Sequence, residues 1–163
     1  TFRVVASMNP YDNVGTTRLS TSVYDRLCRI AIGYQDAEAE RQIVVRRTGS
    51  DSTRVVADAV AVTRATRERE DIWQGSSVRG AIDLALLVHQ LASIRSVELP
   101  RVDSVDPPRD LSADYTALVL DAMLVALSGR IHLDETVDAT PENVLRQIWE
   151  DHFILKPAAA EPG

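Results

Sequence analysis

Three residues of this 163-residue chain are of a type, and in a position, to contact an anionic ligand: Asn9, Arg26 and Arg79. Asn9 ends a short apolar run and precedes Pro10, which stops a strand because proline has no backbone N–H to donate. In an open α/β sheet, ligands bind just beyond the carboxyl ends of the strands, so the Asn9 amide is a candidate contact. An Asn-Pro turn also forms without a ligand, and that alternative stays open.

Arg26 carries the second candidate group and follows Asp25 at the end of a short predicted turn. The ordinary interpretation of the two residues is an Asp–Arg contact on the surface. The sharper interpretation is a fixed arginine directed across an interface at a phosphate that a neighbouring subunit binds, because the planar guanidinium suits phosphate oxygens. The residues alone leave both interpretations open.

Arg79 lies in the first turn of a predicted helix, where a cation opposes the positive end of the helix dipole. The residues around it are small: Ser76, Ser77 and Gly80. A helix start with small residues leaves room for an anion at the free N–H groups, so Arg79 is a candidate phosphate contact. The alternatives are a solvated arginine and one paired with Glu70 or Asp71.

No histidine pattern predicts a metal site. His89 lies on or near an apolar helix face and is expected to be a hydrogen-bonded core residue. His132 with Asp134 and Glu135, and His152 further along, have a spacing that matches no tight ligand motif. The chain also lacks the Gly-x-Ser-x-Gly sequence of a serine nucleophile, so covalent catalysis is not indicated.

The composition is that of a folded soluble protein, with 45% hydrophobic and 26% charged residues. A formal charge of −6 argues against a general nucleic-acid binder, which presents a basic surface. The single cysteine, Cys28, cannot form an internal disulfide and fits the reducing cytoplasm, where we expect the protein to act. No stretch approaches the roughly 18 apolar residues that span a bilayer, so no membrane span is expected.

The chain divides by pattern into two regions and a tail. Residues 1–34 carry a short apolar run, Val4–Ala6, typical of a strand buried on both faces, and a second short run, Arg29–Ile32, that also fits a strand. Residues 35–156 are helical, and residues 157–163 form a tail that is expected to fray. The predicted fold class is therefore mainly α, a helical bundle preceded by a remnant of an α/β core.

Capping residues and apolar spacing predict five helices in the second region, the third from Val78 to about Arg95. The apolar faces expected on the third and fourth helices are Ala81, Leu84, Ala85, Val88, Leu91 and Ala92, and Leu118, Val119, Ala122, Met123, Ala126 and Leu127. The helices begin after side chains that accept free N–H groups: Asp36, either Asp51 or Ser52, Ser77, Ser112 and Thr140. Gly49 and Gly129 are the expected stops of the first and fourth helices. Residues 96–110 contain prolines among acidic residues and are expected to form a strap or loop. Trp73 and Trp149 are expected to be packing anchors.

Several short motifs follow one another along the chain. They are Ser7-Met8-Asn9-Pro10, Asp12, Gly15-Thr16, Leu19, Asp25-Arg26-Leu27, Gly33-Tyr34, Glu40-Arg41, Ile43-Val44, Ala65-Thr66-Arg67, the run from Gly75 to Gly80, Gly129-Arg130 and Thr140-Pro141-Glu142-Asn143-Val144. In this order and at this spacing they resemble the C-terminal half of an AAA+ ATPase of the MoxR type. The resemblance covers most of residues 1–92 and resumes near residue 129.

The resemblance implies a fold, an activity and three residue roles. Residues 35–156 would form the helical AAA+ lid, behind the C-terminal end of the nucleotide-binding core. The complete chain would assemble into a ring, expected to be a hexamer, bind ATP with Mg²⁺ at its interfaces, and remodel protein partners as chaperone-like ATPases do. A von Willebrand factor A domain protein is one implied partner. Asn9 would be the sensor 1 residue near the γ-phosphate, Arg26 the arginine finger reaching the next subunit's nucleotide, and Arg79 the sensor 2 arginine.

Departures from the family pattern limit what this chain would do alone. It has no Gly-x-x-x-x-Gly-Lys-Ser/Thr loop and no apolar strand ending in an acidic pair, so both are expected before Thr1, and this portion is not expected to hydrolyse ATP. Leu27 stands where family members usually have phenylalanine, and the strap at residues 96–110 resembles an insertion in the lid. A function of another class, a non-catalytic helical interaction module whose arginines are only solvated, fits the same residues.

Overall fold

The computed structural model describes residues 3–7, 22, 25–28, 30–100 and 111–155 of the chain. The backbone divides into two units, Thr1–Gly33 and Tyr34–Gly163. The described residues of the second unit form five α-helices: α1 (Ala37–Thr48), α2 (Thr53–Ala65), α3 (Val78–Arg95), α4 (Ala113–Leu127) and α5 (Pro141–Phe153). They also form a 3₁₀ turn, Ser128–Arg130, and a two-stranded sheet of β1 (Ile72–Gln74) and β2 (His132–Leu133). The described fold is therefore mainly helical.

The described residues of the first unit form no strand. The valines of the Val4–Ala6 run are 63% and 97% exposed, and the isoleucines of Arg29–Ile32 are 84% and 88% exposed. Both strand predictions are therefore wrong for the described residues of these runs. A strand buried on both faces needs hydrogen-bonded neighbours, and the described residues before Tyr34 supply none.

The helix starts follow the predicted capping residues. Asp36 Oδ1 accepts the N–H of Ala39 at 2.8 Å, and Ser52, rather than Asp51, caps α2. Side-chain oxygens also cap the other three helices as predicted, at Ser77, Ser112 and Thr140. The stop of α1 at Gly49 is confirmed, because this residue has a φ of 67°, in the left-handed region that favours glycine.

The C-terminal end of α4 differs from the prediction. The helix ends at Leu127, and the chain continues into the 3₁₀ turn, which contains Gly129. Ser128 keeps right-handed helical torsions, with φ −59° and ψ −39°, so the last turn tightens instead of stopping at a left-handed glycine. The prediction of Gly129 as the helix stop is therefore wrong.

The small sheet joins two distant parts of the second unit. β1 pairs antiparallel with β2, with Ile72 opposite Leu133. Residues 131–138, expected to be irregular or briefly extended, contain the two-residue strand β2. The sequence does not predict β1, because three residues are too few to show a period. Trp73, in the middle of β1, is 55% exposed, so the prediction that it is a packing anchor is wrong.

The core is aliphatic and lies around α3, which packs against α1, α2 and α4, while α5 packs against α4 and α2. The predicted apolar faces of α3 and α4 are buried, apart from Leu91 of α3, which is partly buried. Their buried residues are Ala81, Leu84, Ala85, Val88 and Ala92 on α3, and Leu118, Val119, Ala122, Met123, Ala126 and Leu127 on α4. On α5, the indole N–H of Trp149 donates to the Thr116 carbonyl at 2.7 Å, which confirms the predicted anchoring role of Trp149.

Candidate functional site

The structure describes two of the three predicted site residues. Asn9 lies outside the described residues. Arg26 lies in a turn of the first unit with its side chain exposed, and Arg79 lies in the first turn of α3, also exposed. Because the two arginines belong to different units, the structure gives no distance between them.

The Arg79 side chain has no ionic partner among the residues that the structure describes. The alternative of a pair with Asp71 is not formed, because Asp71 pairs with Arg69 at 2.7 Å. A cation in the first turn opposes the helix dipole at a cost of about 0.3–1 kcal/mol. No described carboxylate offsets that cost, so the guanidinium is open to solvent or to an anionic ligand.

The start of α3 does not leave the room that its small residues suggest. Gly80 is buried, and a Cβ atom added to it would overlap Ser76 Oγ and lie 2.7 Å from Leu127 Cδ2. Ser76 is also buried, and the Arg79 N–H is directed at Ser77 Oγ at 3.4 Å. The expectation of an open cradle of N–H groups is therefore wrong. Gly80 is small because α3 approaches α4 closely there, and any anion contact rests on the Arg79 side chain.

The turn that precedes α3 is fixed to the end of α2. The Ser76 N–H donates to Thr66 Oγ1 at 2.9 Å, and the Arg67 Nε–H donates to the Ser76 carbonyl at 2.6 Å. Gly75 is required at this turn, since a Cβ atom there would lie 2.5 Å from the Thr66 carbonyl oxygen. The backbone three residues before Arg79 is thus held on both its donor and its acceptor side.

A buried carboxylate lies behind this turn and accepts from two arginines. Glu40, on α1, is 1% exposed and accepts hydrogen bonds from Arg67 Nη1 at 2.7 Å and from Arg64 Nη1 at 3.2 Å. Arg64 also donates to the Gln35 carbonyl at 3.0 Å, and the Arg67 guanidinium lies 4.0 Å above the Tyr34 ring. We call Glu40, Arg64 and Arg67 the Glu40 cluster. It joins the first residues of the second unit to the turn before α3.

A second buried carboxylate, Asp58 on α2, is enclosed by donors from three helices. The Tyr115 hydroxyl donates to Asp58 Oδ2 at 2.9 Å, Arg54 Nε donates to the same oxygen at 2.7 Å, and His152 Nε2 lies 2.8 Å from Oδ1. Because an ionised carboxylate only accepts, His152 carries its hydrogen on Nε2. We call Arg54, Asp58, Tyr115 and His152 the Asp58 cluster.

The environment of the Asp58 cluster moves two pKa values in opposite directions. Burial alone raises the pKa of Asp58, but the hydrogen bonds from His152 and Arg54 outweigh it, and the pKa is lowered from its ordinary value. Burial, followed by the neighbouring Asp58 charge, raises the pKa of Tyr115 far above its ordinary value. Asp58 is therefore the charged acceptor of the cluster and Tyr115 is a neutral donor.

Sequence reasoning missed the Asp58 cluster because its members are far apart in the chain. Tyr115 and His152 lie 57 and 94 residues from Asp58. Arg54 and Asp58 have the spacing of a common helix-surface ion pair. The signal that distinguishes them is their position beside Val55 and Ala59, on a helix segment that is buried on all sides.

Two of the three histidines make ordinary hydrogen bonds. His89 is hydrogen-bonded as predicted, with Nε2 2.7 Å from Ser50 Oγ, but it is only partly buried and lies at the edge of the core. His152, one of the weighed metal-ligand candidates, contacts Asp58 instead. Across the described ranges, no group of three or more histidine, cysteine, aspartate or glutamate side chains is arranged to hold a metal ion.

Comparison with known proteins identifies no relative of this chain. No protein-family model, curated protein or solved structure matches it. None of the helices in the described ranges is both long enough and apolar enough to cross a membrane. The candidate site therefore rests on the geometry around Arg79.

Proposed function

We propose that this chain is the sensor and lid portion of a MoxR-type AAA+ ATPase, in which Arg79 contacts the nucleotide of its own subunit. The observation that carries the proposal is the state of Arg79. Its cation is exposed and lacks a carboxylate partner within the described residues. The turn before it is held because the Ser76 N–H donates to Thr66 and the Ser76 carbonyl accepts from Arg67. A free cation on a fixed support suits a phosphate ligand.

The proposed chemistry divides among three residues. Phosphoryl transfer proceeds by positioning and by stabilising the negative charge of the γ-phosphate. Arg79 would supply positive charge from the lid, Arg26 would supply it to the neighbouring subunit's site, and Asn9 would orient the attacking water. Bound ATP with Mg²⁺ would supply the reacting phosphate and neutralise part of its charge, on elements that the proposal expects before Thr1. The assembled ring would use hydrolysis to remodel a protein partner in the cytoplasm, one candidate being a von Willebrand factor A domain protein.

The test measures ATP turnover of the gene product that includes the coding sequence before Thr1. That sequence should encode a Gly-x-x-x-x-Gly-Lys-Ser/Thr loop. Arg26→Ala should lower turnover by about 10³-fold or more, as loss of an arginine finger does. Arg79→Ala should lower turnover by at least about tenfold, through loss of electrostatic stabilisation.

The matched control is Arg95→Ala, at the opposite end of the helix that carries Arg79. Arg95 is about half exposed and pairs with Asp121 at 2.6 Å, so its loss removes a surface charge without touching the candidate site. Wild-type turnover in both the Arg26→Ala and Arg79→Ala proteins would overturn the proposal, as would an upstream sequence without a phosphate loop.

A second candidate is a non-catalytic helical interaction module. The feature that fits it is apolar exposure on two helices, since Ile94 on α3 and Val125 on α4 are 75% and 72% exposed. This function predicts that the longer product binds no ATP, and that Arg79→Ala leaves partner binding unchanged. ATP binding measured by calorimetry separates the two candidates.

A further inference from the structure

Arg67 makes three contacts at once with its guanidinium, in three directions. Nε donates to the Ser76 carbonyl at 2.6 Å, Nη1 donates to Glu40 at 2.7 Å, and the plane lies on the Tyr34 ring. Its side chain is only 10% exposed, so these contacts are shielded from water. A planar fork with fixed N–H directions sets the angle between its partners, which a flexible ammonium group does not.

We infer that Arg67 is a positioning residue for Arg79, resting on the proposed function of Arg79 as a nucleotide contact. The Ser76 carbonyl belongs to the turn that leads into α3, directly before the capping residue Ser77. Fixing that carbonyl against the Glu40 carboxylate fixes where the first turn of α3 begins, and therefore where the Arg79 side chain leaves the helix. The Arg67 side chain is itself engaged by Ser76, Glu40 and Tyr34, so its proposed role is to position Arg79 and not to contact the ligand.

The same carboxylate also holds the start of the second unit. Arg64 donates both to Glu40 and to the Gln35 carbonyl, while Arg67 covers Tyr34. Arg64 thus connects Glu40 to Gln35. Arg67 connects Glu40 to Tyr34 and to the turn before Arg79. The entry segment at residues 34 and 35 and the turn before α3 therefore share one buried carboxylate, but of the two arginines only Arg67 reaches the Ser76 carbonyl.

The chain offers a matched pair of variants to test this role. Arg67→Lys keeps a cation near Glu40 but loses the fork that also reaches Ser76. Arg64→Lys weakens the hydrogen bonds of residue 64 to Glu40 and to the Gln35 carbonyl, and it leaves the contact with Ser76 unchanged. In the 163-residue chain, Arg67→Lys should speed amide exchange at Arg79 and Gly80 by about tenfold, the equivalent of about 1.4 kcal/mol, because it removes the part-buried hydrogen bond to the Ser76 carbonyl. Arg64→Lys should leave these two amides unchanged.

A binding cycle then tests the link to the nucleotide. ATP affinity is measured in the longer gene product for Arg67→Lys, Arg79→Ala and the double variant. Arg67→Lys should weaken ATP binding severalfold while α1–α5 stay folded by circular dichroism. The double variant should bind no more weakly than Arg79→Ala alone, because a positioning residue has no effect once the group that it positions is gone.

Each result decides one claim. Unchanged exchange at Arg79 and Gly80 in Arg67→Lys overturns the positioning role, as does a double variant whose effects add. Wild-type ATP affinity in Arg79→Ala overturns the proposed function itself. This failure can be told apart from failure of the positioning role, because amide exchange is measured without nucleotide. If Arg67→Lys unfolds, Glu40→Gln replaces it in the same exchange and binding assays, with the same criteria. This variant leaves Arg67 in place but removes its charged partner.

Discussion

The two buried carboxylates of the second unit show how similar groups serve different ends. Asp58 and Glu40 are each 1% exposed, and each accepts hydrogen bonds from arginine. The partners of Asp58 close on it from α2, α4 and α5, and none of them leads to the surface site. The partners of Glu40 also donate to other elements, Arg64 to the Gln35 carbonyl and Arg67 to the Ser76 carbonyl in the turn before α3. We therefore expect the Asp58 cluster to govern stability and the Glu40 cluster to govern the position of Arg79.

The largest expected effect on stability is that of Asp58→Asn. The variant leaves Arg54 charged and 1% exposed without a counter-ion, which costs about 3–5 kcal/mol of unfolding free energy when a buried pair is broken. The measurement is urea unfolding of the chain. Asp121→Asn is the control, because Asp121 pairs with Arg95 at an exposed position. This variant should lose at most about 1 kcal/mol of unfolding free energy. Equal losses in the two variants would contradict the assignment of Asp58 to stability.

A smaller effect is expected for Glu40→Gln, about 1–3 kcal/mol of unfolding free energy. The cost is lower because Arg64 is 30% exposed, so water can reach its charge when the carboxylate is lost. The result that distinguishes the Glu40 cluster from the Asp58 cluster is a local one. The rate of amide exchange at Arg79 and Gly80 should rise more than the loss of global unfolding free energy explains. Glu38→Gln, on the same helix and paired only at the surface with Arg41, should change neither quantity. A purely global response would remove the distinction between the clusters.

The smallest effect is the pH dependence that Asp58 contributes. Its pKa is lower in the folded protein than the ordinary 3.8, so the charged form stabilises the fold above that pH. This stabilisation should be lost as the pH falls below 3.8 towards the lowered folded pKa. Unfolding free energies measured between pH 7 and pH 2 should show the difference between wild type and Asp58→Asn shrinking below pH 3.8. A difference that stays constant to pH 2 would show that Asp58 does not titrate as described.

The sequence predicted the features that local rules control. The capping residues and apolar spacing located α3 at Val78–Arg95 and identified the buried faces of α3 and α4, because a cap and a helical period are contained within a few turns. The strand predicted at Val4–Ala6 failed for the opposite reason. An apolar run becomes a buried strand only where other strands pair with it, and that condition lies outside the run itself.

The candidate site was only partly predictable for the same reason. Arg79 could be identified from its place in the first turn of a helix. The requirement for glycine at position 80 could not be predicted, because it depends on contact with Leu127 of α4, which is distant in sequence and close in space. The partners of Glu40 and Asp58 were equally hidden, since long-range contacts between polar side chains leave no period in the sequence. Tertiary packing, rather than ligand access, accounts for the small residues at this helix start.

The most direct test of the central claim, that Arg79 is a nucleotide contact on a fixed support, is the affinity of the longer gene product for ATP in the presence of Mg²⁺. Calorimetry compares wild type, Arg79→Ala and Arg95→Ala at one ionic strength. The account predicts that Arg79→Ala weakens binding by about tenfold, equivalent to about 1.4 kcal/mol, while Arg95→Ala binds as wild type does. Equal ATP affinity in all three proteins would contradict it.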